Sequence, residues 1–232
     1  MPTIDEIEIA DDAGRWLELG FHVDGESCAI GGVALRLSGA REEGGESEAE
    51  GEGAGMGESE GVIGWSIRGL ASADLDGLPT KISERPAIAP ALPHPNGVVS
   101  IDHIVAVSPD FERSVAAMQA AGLDLRRVRE EPTPAGAPRQ AFFRLGRELL
   151  ELVEEPEEVA AAKGGTGRPA RFWGLALLVD DIDATVAAMA PHAGEARPAV
   201  QPGRRISTVG RSAGLAIPLA LMTREDDAGG ST

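Results

Sequence analysis

Three sets of residues carry types and neighbours that could do chemistry. His103 stands among apolar residues in "SIDHIVAVSPDFERSVAAM", residues 100 to 118. An imidazole there can ligate a metal, contact a substrate, or sit hydrogen-bonded in a core. Glu151 lies between Leu149, Leu150, Leu152 and Val153. A carboxyl in such surroundings, if unpaired, has a raised pKa and can serve as a general base; pointing outward, it is only a solvated charge. Arg204 and Arg205, in "QPGRR", occupy a turn, where they either clamp a substrate carboxylate or phosphate or remain solvated.

The other candidates are weaker. Trp173, like Trp65 and Phe142, reads as core or cavity lining. His94 lies in "PHPNG", where the Pro-Asn-Gly turn explains the stretch as linker, and His22 and His192 have no constellation around them. Cys28, the one cysteine, excludes an intrachain disulfide and a thiolate metal cluster, and reads as a small core residue.

These residues must be positioned by repeated elements. "IDHIVAVSPDFERSVAAMQAAGL" and "WGLALLVDDIDATVAAMAPHAG" each give an apolar strand, an acidic turn and a helix. Phe111, Val115 and Met118 follow helical spacing behind Asp110, and Ile182, Val186 and Met189 repeat it behind Asp181. "IDEIEIADDAGRWLELGF", residues 4 to 21, is a weaker copy, and "GVIGWSIRGLASADLDGLP" resembles the strand and shortened helix of the 173 unit. "QAFFRLGRELLELVEEP" predicts a hairpin around Gly146, "SCAIGGVALRLSG" one around Gly31, and "ISTVGRSAGLAIPLALMT" a longer version. The fold expected is α+β, built from repeated βαβββ modules. In strand alternation, Asp102 and Ile104 are expected to face away from His103.

Proline-rich "SERPAIAPALPHPNG" divides an N-terminal part, residues 1 to 97, from residues 98 to 232, whose two modules span 98 to 156 and 170 to 224. Residues 41 to 61 carry eight glutamates and one arginine, and the stretch 41 to 60 is expected to be a disordered loop. The net charge of −17 opposes nucleic acid and anionic membrane surfaces. No stretch is long enough to span a bilayer and no leader pattern is evident, so a soluble, cytoplasmic protein is expected.

The paired βαβββ pattern, carried by "IDHIVAVSPDFERSVAAM", "FRLGRELLELVE" and "FWGLALLVDDIDATVAAM", resembles the vicinal oxygen chelate superfamily of glyoxalases, extradiol dioxygenases and bleomycin resistance proteins. The resemblance implies modules paired into cupped half-barrel mixed sheets around a small-molecule ligand. It implies a divalent metal (Fe, Mn, Ni or Zn) held by His103 and Glu151, with the set incomplete because Gly174 and Ala220 stand at the matching positions. In the N-terminal copy, Glu6 and Arg36 occupy the equivalent places and are expected to form an ion pair. If the protein is an enzyme, the resemblance implies a metal-dependent lyase, isomerase or dioxygenase with Glu151 shuttling a proton. A metal-free binding or sequestering protein similar to the bleomycin resistance proteins, with His103, Trp173, Arg204 and Arg205 against the ligand, and a scaffold whose N-terminal half only covers the other sheet, are the other readings. Either a monomer or a homodimer can complete such a site.

Overall fold

Acidic residues start the helices where the repeats place them. Asp110 accepts a hydrogen bond from the Arg113 amide at 3.1 Å, ahead of α2 (Phe111–Ala120). Asp181 accepts from the Asp183 and Ala184 amides at 3.0 Å, ahead of α4 (Ile182–Ala188). Asp12 caps the short α1 (Ala13–Glu18) through the Gly14 amide at 2.8 Å. Each cap satisfies amides that the first helical turn leaves without a partner. Behind the caps, Phe111, Val115, Met118, Ile182 and Met189 are buried and Val186 is half-buried, as the spacing requires.

The computed structural model describes residues 1–39, 61–133 and 136–224; the acidic stretch 41 to 60 lies outside the described residues. One sheet takes all its strands from the N-terminal part: β1 (Thr3–Ile9), β2 (Ser27–Ile30), β3 (Val33–Leu37), β4 (Val62–Arg68) and β5 (Thr80–Ser83), in the order β2-β3-β1-β4-β5. The other contains β6 (Val98–Ser108), β7 (Asp124–Arg129), β8 (Gln140–Leu145), β9 (Glu148–Glu154), β10 (Arg171–Val179), β11 (Arg197–Pro198), β12 (Arg205–Val209) and β13 (Leu219–Met222). Its order is β11-β12-β13-β10-β6-β9-β8-β7. A short helix α3 (Glu157–Ala162) follows β9. The fold is α+β with mixed, open sheets. No helix among the described residues is long and apolar enough to cross a membrane.

The two sheets follow one plan. In the larger, β6 and β10 run antiparallel at the centre, and each has the last strand of its own module beside it in parallel, β9 and β13. In the smaller, β1 and β4 take the central places with β3 and β5 parallel beside them. The β8–β9 hairpin turns at Gly146, whose φ of +74° lies in the left-handed region that glycine enters without steric cost. One continuous core holds both sheets, with Trp65 packed edge-on against Phe172 at 5.0 Å. Cys28 belongs to that core, and burial pushes its thiol up to about 12.

His94 is not linker, as the turn motif suggests. It is buried, its Nδ1 accepts from the His22 amide at 2.9 Å, and its ring lies 5.1 Å from Phe21 and 5.9 Å from His22. Asn96 explains the difference: it holds the turn down through the Leu19 carbonyl at 2.9 Å and so draws His94, two residues before it, into the core.

Candidate functional site

The strand ladder puts His103 opposite Leu149 of β9, and Glu151 opposite Val105 of β6. His103 and Glu151 are therefore diagonal neighbours on one face, opposite the face that carries Ile104, Ala106, Leu150 and Leu152 into the core. We call this the inner face of the eight-stranded sheet. Leu149, Phe142, Leu178, Ala220 and Ile206 lie on it, half-buried. One end is closed by Val105, Val107, Val153 and Ala137, with Trp173 packed on them.

Asp102 does not face away from His103. The β6–β10 register runs from His103 opposite Ala176 to Ile101 opposite Leu177, so Asp102 is the extra residue of a β-bulge. A bulge breaks alternation and re-aims its side chain, here beside His103. The His103 Nδ1 donates to Asp102 Oδ2 at 2.7 Å, and its Nε2 donates to Glu151 Oε2 at 3.1 Å. Arg204 Nη2 donates to Asp102 Oδ1 at 2.8 Å, and its Nε to the Thr223 carbonyl at 2.7 Å. The Gln140 amide donates to the other oxygen of Glu151.

The result is a buried chain, Arg204–Asp102–His103–Glu151–Gln140, in which guanidinium, carboxylate, imidazolium and carboxylate alternate. Burial alone pulls the His103 pKa down, but the hydrogen bonds to Asp102 and Glu151 outweigh it and raise it to about 9. For Asp102, burial raises the pKa, and the bonds from His103 and Arg204 outweigh it and lower it. At neutral pH both imidazole nitrogens therefore carry protons.

Such a donor set does not fit a divalent metal. Divalent sites generally take three or more protein ligands, and here the set stops at His103 and Glu151, with both imidazole nitrogens hydrogen-bonded to carboxylates. Among the described residues no group of three or more His, Cys, Asp or Glu could hold a metal ion. The second module cannot add to the set. The β6–β10 register is symmetric, with His103 opposite Ala176 and Gly174 opposite Val105, so Gly174 is the counterpart of His103. By the same symmetry Trp173, in a matching bulge, answers to Asp102, and Ala220 answers to Glu151. A Cβ on Gly174 would stand 2.5 Å from the Pro218 carbonyl oxygen, a backbone atom that cannot rotate away. Gly174→Ala is therefore expected to cost about 1–3 kcal/mol in urea denaturation through overpacking. Gly174→His is expected to cost more, with no gain in metal affinity.

Of the residues singled out from the sequence, His103, Glu151 and Arg204 meet in the buried chain. Trp173 sits on the apolar end of the same face. Arg205 stays apart: its Nη1 and Nη2 pair with Asp183 at 2.7 and 2.8 Å in an exposed position. Asp102 and Gln140 escaped sequence reasoning. One signal for Asp102 was the shared pair Ile4-Asp5 and Ile101-Asp102, since Asp5 is also the extra residue of a bulge, between Ile4 and Glu6. Asp5 is likewise held by arginines, Arg68 and Arg85. Glu6 pairs with Arg85 at 3.2 Å rather than with Arg36, because the chain after β5 brings Arg85 over this corner.

Residues 102–207 match the model of the Glyoxalase/Bleomycin resistance protein/Dioxygenase superfamily. This part of the chain belongs to that superfamily. A xylose isomerase-like TIM barrel/4-hydroxyphenylpyruvate dioxygenase fusion protein superposes with a TM-score of 0.58 at 13% identity, over 97% of this chain and 49% of that one. The shared fold takes in both sheets, while this chain spans about half of that protein's length. Methylmalonyl-CoA epimerase from Mycobacterium tuberculosis is 18% identical over 55% of this chain and 89% of its own, with a TM-score of 0.44. A Streptomyces coelicolor methylmalonyl-CoA epimerase variant in complex with 2-nitronate-propionyl-CoA is 23% identical over 56% and 96%, with a TM-score of 0.44. No curated protein matches the sequence.

Proposed function

We propose that this protein binds a small organic molecule on the inner face of its eight-stranded sheet without a metal, in the manner suggested by the bleomycin resistance branch of its superfamily. The observation that carries this reading is the committed imidazole: His103 stands at the family's metal position with both nitrogens bonded to carboxylates. The glyoxalase or dioxygenase reading requires that same imidazole to lose a proton and a carboxylate partner before it can ligate a metal.

In this reading residues 98 to 232 form the binding unit and residues 1 to 97 a degenerate copy that supports it. The ligand's apolar body lies across Phe142, Leu149, Leu178 and Ala220, which remain half-buried rather than filled by other side chains. The Arg204–Asp102–His103–Glu151 chain serves as a rigid polar floor, its charges already balanced.

The neutral dye N-phenyl-1-naphthylamine, followed by its fluorescence, tests this. It is expected to bind with the same affinity in chelator and in added Mn²⁺, and to lose affinity at least about tenfold in Leu149→Asp, where a charge interrupts the apolar shelf. Binding that requires the divalent ion would overturn the metal-free reading, and no binding at all would remove the site.

A further inference from the structure

One flank of the inner face is basic, although the chain as a whole carries a net charge of −17. Arg127 of β7 stands opposite Phe142 of β8, which stands opposite Glu151 of β9. Arg144, two residues along β8 on the same face, stands opposite Leu149, which stands opposite His103. Each arginine is thus two strand spacings, about 10 Å, from a member of the buried chain.

That chain's carboxylates are already engaged within it, Asp102 by Arg204 and His103, and Glu151 by Gln140 and His103. Among the described residues Arg127 pairs with no carboxylate, and its guanidinium carbon lies 5.0 Å from the centroid of the Phe142 ring. Arg144 donates to the Arg147 carbonyl at 3.2 Å. Arg144 stands opposite Asp124 of β7, whose carboxylate is taken by Arg126 at 3.1 Å, and Glu148, buried and hydrogen-bonded to the turn amides of Arg147 and itself, offsets Arg144 only in part. The neighbouring Arg126 and Arg129, by contrast, face Asp124 and Glu131 at 3.1 and 3.5 Å.

Two guanidiniums flanking an aromatic ring are suited to a planar group that ends in an acid. The planar forks donate in pairs to carboxylate, sulfonate or phosphate oxygens, and the stacked Phe142 holds Arg127 over the face. We infer that the ligand of the inner face is an organic anion, its acidic group held between Arg127 and Arg144 and its apolar body against Phe142 and Leu149. This rests on the reading of that face as a ligand surface. A polyanion such as nucleic acid is disfavoured by the net charge of the rest of the molecule, so the ligand is a small one.

The pair of dyes 8-anilinonaphthalene-1-sulfonate and N-phenyl-1-naphthylamine separates the two claims, because they share a ring system and differ in the sulfonate. The sulfonate dye is expected to bind the full-length protein at least about tenfold more tightly at low salt. Arg127→Gln and Arg144→Gln should each weaken it several-fold, the double variant should erase its advantage, and the neutral dye should be unaffected. Arg126→Gln combined with Asp124→Asn, which removes a paired charge together with its partner from the same strand, is the control and should change neither dye. Circular dichroism of the glutamine variants checks that the fold is kept. Equal affinities for the two dyes, or an advantage that survives the double variant, would overturn the anion claim while leaving the binding face in place. If neither dye binds, both fall.

Discussion

Replacing His103 with alanine is expected to lower the unfolding free energy by about 3–5 kcal/mol at neutral pH, measured by urea denaturation. The side chain is buried, and it alone stands between the buried Glu151 and the half-buried Asp102. Without it Asp102 keeps only Arg204, and Glu151 keeps only the Gln140 amide. A carboxylate left in low-dielectric surroundings without its cation costs far more than a surface ion pair returns. His103→Gln, which can still donate to one of the two acids, should cost clearly less. A metal-ligand role would give the opposite ordering in metal-free protein. There, removing one ligand from a vacant cluster relieves crowding and leaves stability unchanged or improved.

The second large effect is on the pH dependence of stability. His103 has a folded pKa raised from 6.5 to about 9. Its contribution is therefore complete below about 6.5 and is lost as pH rises through about 9, because the folded state holds the proton longer than the unfolded chain does. The loss across that window is on the order of 3 kcal/mol. His94 and Asp102, the two shifted groups best placed to confuse the reading, act on the acid side. Burial first, and the neighbouring His22 second, depress His94, so its contribution fades as pH falls below 6.5. Asp102 is held below 3.8, so its contribution disappears only at still lower pH. Denaturation midpoints of wild type and His103→Gln across the pH range should show a difference that is flat below about 6.5 and shrinks toward about 9. A difference that grows with pH would contradict the protonated imidazole.

Much of the scaffold was legible because it is local. Asp110 and Asp181 announce helices through a cap that depends on neighbours within three residues, and the apolar spacing behind them reports burial directly. The alignment of Gly174 with His103 was also readable, and the antiparallel register reproduces it. What remained hidden depends on partners distant in sequence. The bulge at Asp102 exists only in the register between β6 and β10, so simple alternation sent Asp102 to the wrong face. Arg204 and Arg205 are adjacent in sequence, yet one closes a buried chain with Asp102 and the other meets Asp183 in solvent. The Glu6–Arg36 pair failed for a similar reason: Arg85, from the chain that follows β5, arrives first. Arg127 and Arg144 gave no sequence signal at all, since only the strand order brings both beside Phe142.

The protonation state of His103 is the most direct measure of whether this position holds a cation of its own or a place for a metal. Nitrogen-15 labelling of the four histidines, with His103 assigned through His103→Gln, reports each ring nitrogen separately. At neutral pH the His103 ring is expected to show two protonated nitrogens, to titrate near pH 9, and to be unmoved by one equivalent of Zn²⁺. A neutral ring with one bare nitrogen, or a resonance that shifts stoichiometrically with the metal, would contradict the account.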